Sequence, residues 1–266
     1  QLAFQFPFLR RIQRVPSPRV RVHSPEDQAG AAGVGQVLKL MIPAIFGVSI
    51  AQINLLVNTV LASFLVTGSV SWLYYSDRLM EFPLGVFGVA LATVILPTLS
   101  RQVAESDHQS YRKTLDWAMR LVFLICLPAA AALGILAFPL MVTLFQYGAF
   151  SAEDAVMASH ALMAFSVGLI GFVLVKVLAP GFYARKDTRT PVLIGAIAMG
   201  VNAVVAVGLV WHFAHVGLAL ATSAAGLVNA FLLYHRLRAL GHFRAKQGWP
   251  LFLGRVLLAT VAMSVL

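Results

Sequence analysis

Long apolar runs separated by short polar breaks dominate this chain. They predict helices near 37–66, 69–99, 117–146, 157–183, 191–212 and 214–235, with a last one starting near 250. About 20 mainly apolar residues suffice to cross a hydrocarbon core of roughly 30 Å, and each complete run meets that length. The runs are continuous, rich in Leu, Ala and Gly, and lack the roughly ten-residue alternation of a membrane barrel, so they predict helices. The first two runs exceed what a bilayer needs. About 30 residues make roughly 45 Å of helix, which must tilt, bend or protrude. Pro43 and Pro83 are the natural bending points, because proline removes a backbone donor and crowds the preceding turn. Small residues recur at packing intervals, Gly85 and Gly88, Gly168 and Gly171, Gly195 and Gly200, Gly217 and Ala221, and predict close helix contacts.

The polar breaks carry the orientation. Arg10, Arg11, Arg14, Arg19 and Arg21 precede the first long run; Arg101, Arg112 and Lys113, then Arg185, Lys186 and Arg189, then Arg236, Arg238, Arg244 and Lys246 occupy every second break. The alternate breaks, "VTG" at 66–68, "QYGAFSAED" at 146–154 and "WHFAH" at 211–215, contain no Lys or Arg. The positive-inside rule makes the basic set cytoplasmic. Composition agrees: of 266 residues 59% are hydrophobic and 11% charged, with a mean hydropathy of +0.83, which marks a polytopic membrane protein. The net charge of +10 is spread over membrane-flanking breaks without a nucleic-acid-binding module, so membrane lipid headgroups are the expected partner and nucleic acid is not. The chain opens on "QLAFQFPFLRR" without Met and stops at Leu266 within an apolar run, which predicts a part of a longer polypeptide. Its expected parts are the end of a preceding helix (1–9), a basic cytoplasmic linker (10–36), a six-helix lobe (37–240), and a loop opening a further helix (241–266). Cys126 is the only cysteine, which excludes an intrachain disulfide and leaves it a packing role. None of the seven histidines has metal-ligand spacing, so no metal or cofactor is expected.

One apolar run keeps three charges. "SWLYYSDRLMEFPLGVFGVALATVILP" (71–97) holds Asp77, Arg78 and Glu81. With entry near Ser69, Arg78 lies about 13 Å deep, near mid-bilayer. Ser71, Tyr74, Tyr75, Arg78, Glu81 and Gly85 share one helix face, with Asp77 about a quarter-turn away and no role to assign. Lipid exposure of such a stripe costs several kcal/mol, so it should face a watery cavity or protein. Two compatible explanations remain open. Arg78 and Glu81 neutralise each other at i,i+3 beside the Pro83 kink, or Arg78 presents its planar fork to a phosphate or pyrophosphate while Glu81 orients it. The other mid-membrane polar residues are mostly neutral, Gln52, Asn54, Asn58, Asn202 and Thr222, and Asn54 with Asn58 suits hydrogen bonds between helices. Lys176 stands about two turns inside the boundary marked by Arg185, and snorkelling explains it. In "ARKDTRTP", Thr190 is the expected cap and Pro191 the first helical residue. A membrane enzyme, such as a polyprenyl-phosphate glycosyltransferase, would carry catalytic carboxylates outside; only Glu153 and Asp154 stand there, in a position that also caps a helix, so no enzyme is expected.

The segments "SVSWLYYSDRLMEFPLGVFGVALATVILPTLSR" (69–101), "KVLAPGFYARKDTRTPV" (176–192) and "QINLLVNTVLASFL" (52–65) resemble the MurJ (MviN) lipid II flippases of the multidrug/oligosaccharidyl-lipid/polysaccharide exporter superfamily. The resemblance covers essentially the whole chain. It implies two six-helix lobes around a central cavity followed by two further helices, with this chain supplying the second lobe of a MurJ/MATE-like fold and flanking partial helices. It implies a transporter of the bacterial inner membrane that moves lipid II to the periplasmic leaflet by alternating access, with a first lobe of the same polypeptide as partner. Residue by residue, Arg78 matches the cavity arginine that meets the substrate's pyrophosphate, Glu81 the acid one turn away and Ser71 a polar residue nearer the outer part of the cavity; Tyr74 is a weaker candidate on the same face. Some superfamily members bind sodium or protons through membrane carboxylates. The neutral residues here depart from that pattern and argue against a high-affinity sodium site. The alternative is a related exporter of drugs or polysaccharide-linked lipids.

Overall fold

A computed structural model describes Ser49 and residues 52–243 and 248–265, all within one unit, Pro43–Leu266. The readings made on residues 1–48, including Pro43 and the basic linker, and on Arg244 and Lys246 lie outside the described residues. The helices are α1 (52–63), α2 (Ser69–Ala104), α3 (His108–Ile135), α4 (Ala137–Phe145), α5 (Ala152–Tyr183), α6 (Arg189–Ala239) and α7 (Trp249–Val265). Among the described residues no strand occurs. Helices α2, α3, α5 and α6 are each long and apolar enough to cross a membrane.

Local chemistry sets the boundaries. Gly68 turns the chain into α2 at φ 103°, a conformation that glycine adopts without penalty. Pro83 cannot donate to the ladder, and directly after it six residues, Leu84–Val89, form a wide π turn inside α2. The residues buried before that turn are Ser69, Trp72, Ser76, Met80 and Pro83; within and after it they are Gly88, Ile95, Leu99 and Gln102. Asp107 caps α3 by accepting the Ser110 amide at 2.9 Å. Ser151 and Asp154 close a capping box at the start of α5.

Two expected spans take a different form. The run at 117–146 is broken at Leu136, so it consists of the later part of α3 and all of α4. Helix α6 runs 51 residues, and Ala214, at φ 47° and ψ −129°, folds it into a hairpin. A Cβ on Gly217 would come within 2.7 Å of the Leu209 carbonyl, a closeness that only a reversal of direction gives to residues eight apart. The expected division between 191–212 and 214–235 therefore stands. The expected cap at Thr190, with Pro191 as the first helical residue, is corrected. Helix α6 starts at Arg189, and the Asp187 carboxylate accepts the Thr190 amide at 3.0 Å and its hydroxyl at 2.6 Å. A carboxylate is the stronger acceptor at a helix N-terminus, so it displaces Thr190 from the capping role.

Helix α5 is the centre of the lobe. Its most apolar stretch is 61% buried, against 22% for those of α2, α3 and α6. Alanines and glycines make that possible: a Cβ on Gly168 would meet Ser223 Oγ at 2.6 Å, and one on Gly171 the Gly226 backbone at 2.7 Å. The other small-residue intervals behave unevenly. Among the described residues a Cβ on Gly85, Gly195 or Gly200 would meet nothing within 4 Å, so none of them is a contact point there.

The polar breaks gather at opposite ends, as the charge alternation predicts. At the basic end, Tyr111 donates to the Gly181 carbonyl at 2.8 Å, Arg185 lies 4.7 Å from the Tyr111 ring centre, and Arg112 donates to the Gly241 carbonyl at 2.7 Å. At the other end, Trp72 donates to Asp154 at 2.7 Å and stacks edge-on against His215 at 4.9 Å.

Candidate functional site

Helix α2 carries the charged stripe on the face it turns away from the lobe. Ser71, Tyr74, Arg78, Glu81 and Gly85 are all exposed, while the opposite face packs. Arg78 donates to Glu81 at 2.7 Å, and its guanidinium lies 4.9 Å from the Tyr74 ring centre. The pair keeps 55% and 49% side-chain exposure, so it is held locally, one turn apart, and remains open to an approaching group. Tyr75 departs from the expected stripe: it is half-buried and packs at 4.8 Å on Phe145 and 5.1 Å on Phe150. At about 100° per residue it sits some 40° to one side of Ser71, whereas Tyr74, Arg78, Glu81 and Gly85 fall on the other side. Ser71 is exposed two turns from Arg78, towards the end that lacks basic residues.

Asp77, left without a role by the sequence, faces the other edge of α2. With Tyr74, Asn54, Asn58 and Thr222 it lines a cavity of about 260 Å³. The neutral polar residues meet beside it, joining α1 to both limbs of α6. Asn202 donates to Asn54 at 2.6 Å and to Asn58 at 3.0 Å, and Asn58 donates to Thr222 at 3.0 Å. The expected interhelical role of Asn54 and Asn58 is what their contacts provide. Asn54 and Thr222 also line a second cavity, of about 680 Å³, that reaches Tyr183 and Thr188 at the basic end. Arg78 borders neither of these two cavities.

The sequence reading missed one further polar cluster. Asp116 on α3, 4% exposed, accepts from Arg120 at 2.8 Å and from the Trp249 indole at 2.8 Å, and the Arg120 guanidinium lies 5.2 Å from the Trp249 ring centre and 5.4 Å from that of Phe252. It fastens α7 to the lobe. The i,i+4 pair of Asp116 with Arg120 was visible in the sequence, but its long-range tryptophan was not. Among the described residues no group of three or more His, Cys, Asp or Glu side chains is placed to hold a metal ion. Cys126 is buried and unpaired, in keeping with a packing role.

Comparison with known proteins gives a consistent picture. The family profile described as "Lipid II flippase MurJ" matches residues 1–266. A "Probable lipid II flippase MurJ" of Haemophilus influenzae is 46% identical over 99% of this chain and 51% of its own length. A "Lipid II flippase MurJ" of Burkholderia cenocepacia is 40% identical over 99% of this chain and 51% of its own length. The chain thus spans about half the length of the curated relatives it matches. Among solved structures, a lipid II flippase MurJ in an inward closed conformation superposes with TM-score 0.74 at 26% identity, over 87% of this chain and 48% of that one. An outward-facing multidrug resistance MATE family transporter of the MOP superfamily shares the fold at TM-score 0.68 and 16% identity, over 86% of this chain and 53% of that one.

Proposed function

Because the chain belongs to the MurJ family of lipid II flippases, we propose that it forms one lobe of a flippase that carries lipid II across the bacterial inner membrane. The observation that carries this reading is the Arg78 and Glu81 pair, half exposed on a face of α2 that the described residues leave unpacked. In this reading Arg78 binds the pyrophosphate of the cargo through its guanidinium fork, Glu81 and the Tyr74 ring hold that fork in place, and Ser71 contacts the cargo nearer the periplasmic side. No bond of the cargo is made or broken, so the role is transport without catalysis. The opposing lobe completes the cavity, and rocking of the two lobes exposes the site first to the cytoplasm and then to the periplasm. The membrane potential contributes about 2.3 kcal/mol per charge per 100 mV to any step that moves charge through the field.

The test is lipid II translocation by the intact flippase that contains this chain, reconstituted in liposomes and paired with complementation of flippase-depleted cells. Arg78→Ala should reduce translocation to background while the protein remains folded in the membrane. Wild-type rates in that variant would sink the substrate role. Arg78→Lys separates charge from fork: partial activity assigns the contribution to charge, and full loss assigns it to bidentate geometry.

A further inference from the structure

Lys176 is an ammonium group in the central helix α5, seven residues, or about 10 Å, from the end of that helix at Tyr183. It is exposed, and among the described residues no carboxylate pairs with it. Its stem lies beside the π turn of α2, where a Cβ on Gly88 would stand 3.5 Å from Lys176 Cγ. The side chain borders the 680 Å³ cavity together with the Tyr183 phenol, the Thr188 hydroxyl and Asn229. Asn229 Oδ1 is shielded from solvent and has no hydrogen-bond donor among the described residues. The same cavity shares Asn54 and Thr222 with the smaller one that Asp77 and Tyr74 line, so polar groups follow one another from the basic end of the lobe to the level of Arg78.

An unpaired cation within a membrane span is costly unless it meets water or an anion. We propose that Lys176 forms a loading station on the basic side of the lobe, where its ammonium, beside Tyr183, Thr188 and Asn229, holds a phosphate group of the cargo before the headgroup reaches Arg78. The proposal rests on the transport reading above and adds a second cation to it. It replaces snorkelling as the account of Lys176, because a lysine that only reached for the bilayer surface would have no use for the polar groups set among the apolar lining of the cavity beside it.

The experiment measures lipid II translocation against substrate concentration by the intact flippase in phosphatidylcholine vesicles. Lys176→Gln should raise the half-saturating lipid II concentration on the order of tenfold, the scale of one charge-assisted contact, and Lys176→Arg should restore it to within about twofold. Lys186→Gln, in the exposed loop at the same end, serves as the control and should leave it unchanged. A Lys176→Cys protein should behave as Lys176→Gln does and recover when 2-aminoethyl methanethiosulfonate regenerates the ammonium, a recovery that a packing defect would not show. Wild-type translocation with an unaltered Lys176→Gln curve overturns the loading station and leaves the transport reading standing. Wild-type protein that moves no lipid II overturns both. If the Lys176→Gln defect appears only when phosphatidylglycerol is added to the vesicles, the bound phosphate belongs to bilayer lipid and the proposal fails.

Discussion

Two polar sites in this apolar lobe are built on opposite principles. The Arg78 and Glu81 pair is local: both partners belong to one turn of α2, both stay half exposed, and neither is needed to hold another helix. The cluster of Asn54, Asn58, Asn202 and Thr222 is neutral and tertiary, because each bond joins elements far apart in sequence. A group held only by its neighbour one turn away can be lost without loosening the fold. A group that joins three segments cannot. Under the proposed transport role the charged site is therefore the one free to exchange partners, and the neutral one keeps α1 and the α6 hairpin in register.

The contrast can be broken most sharply by exchanging the ion pair. Arg78→Glu combined with Glu81→Arg preserves the local attraction but moves the cation one turn; translocation is expected to stay at background while the melting temperature holds. Recovery of transport by the double variant would make the pair purely structural. On the other side, Asn202→Leu leaves two amide oxygens without their donor and should cost about 1–2 kcal/mol of lobe stability, seen as a lower melting temperature in detergent. Turnover per folded molecule should stay near that of wild type, and a specific transport defect at unchanged stability would erase the proposed division of labour. Thr222→Val removes one bond of the same cluster and should cost about 0.6 kcal/mol, the average for an interhelical hydrogen bond in a membrane.

The smallest effect is expected far from both sites, at the cap of α3. Hydrogen bonds from the Ser110 side chain and backbone hold the Asp107 carboxyl below its ordinary value of 3.8. A depressed carboxylate stabilises above the unfolded pKa and ceases to do so as pH falls through the folded one. Asp107→Asn should therefore lower the melting temperature slightly at neutral pH, and the difference from wild type should vanish in acid. A difference that persists below that range would assign the effect to the amide itself.

Much of this architecture is legible in the residues. Apolar run length predicts the long helices, the alternation of arginines and lysines predicts which breaks share an end, and i,i+3 spacing predicts the contact of Arg78 with Glu81. The break at Leu136 lies between Gly134 and Pro139, and Pro139, in the first turn of α4, has no amide with which to continue the ladder of α3; the length of the apolar run hid that signal. Other features depend on partners that no local pattern names. Asp77 acquires a setting only because α1 and the α6 hairpin close a cavity beside it. Asp116 finds Trp249 across 133 positions of sequence. Gly85, Gly195 and Gly200 show the converse: the small-residue interval is present, but among the described residues no atom would come within 4 Å of a Cβ there.

The π turn at Leu84–Val89 has an arithmetic consequence for α2. At about 100° per residue, Trp72, Ser76, Met80 and Pro83 occupy an arc of about 80°, and Gly88, Ile95, Leu99 and Gln102 occupy another centred about 110° further round. The wide turn thus acts as one surplus residue, advancing the phase of the helix between its two ends. In an uninterrupted α-helix with its later half seated as it is, Asp77 and Glu81 would rotate into the sector pressed against α5. Regularising the turn to α geometry with every residue kept would press two carboxylates into an apolar seam, whereas deleting one residue would leave the two buried arcs in register; the absorbed surplus residue is what allows one helix both to seal the lobe and to carry charge on its far side.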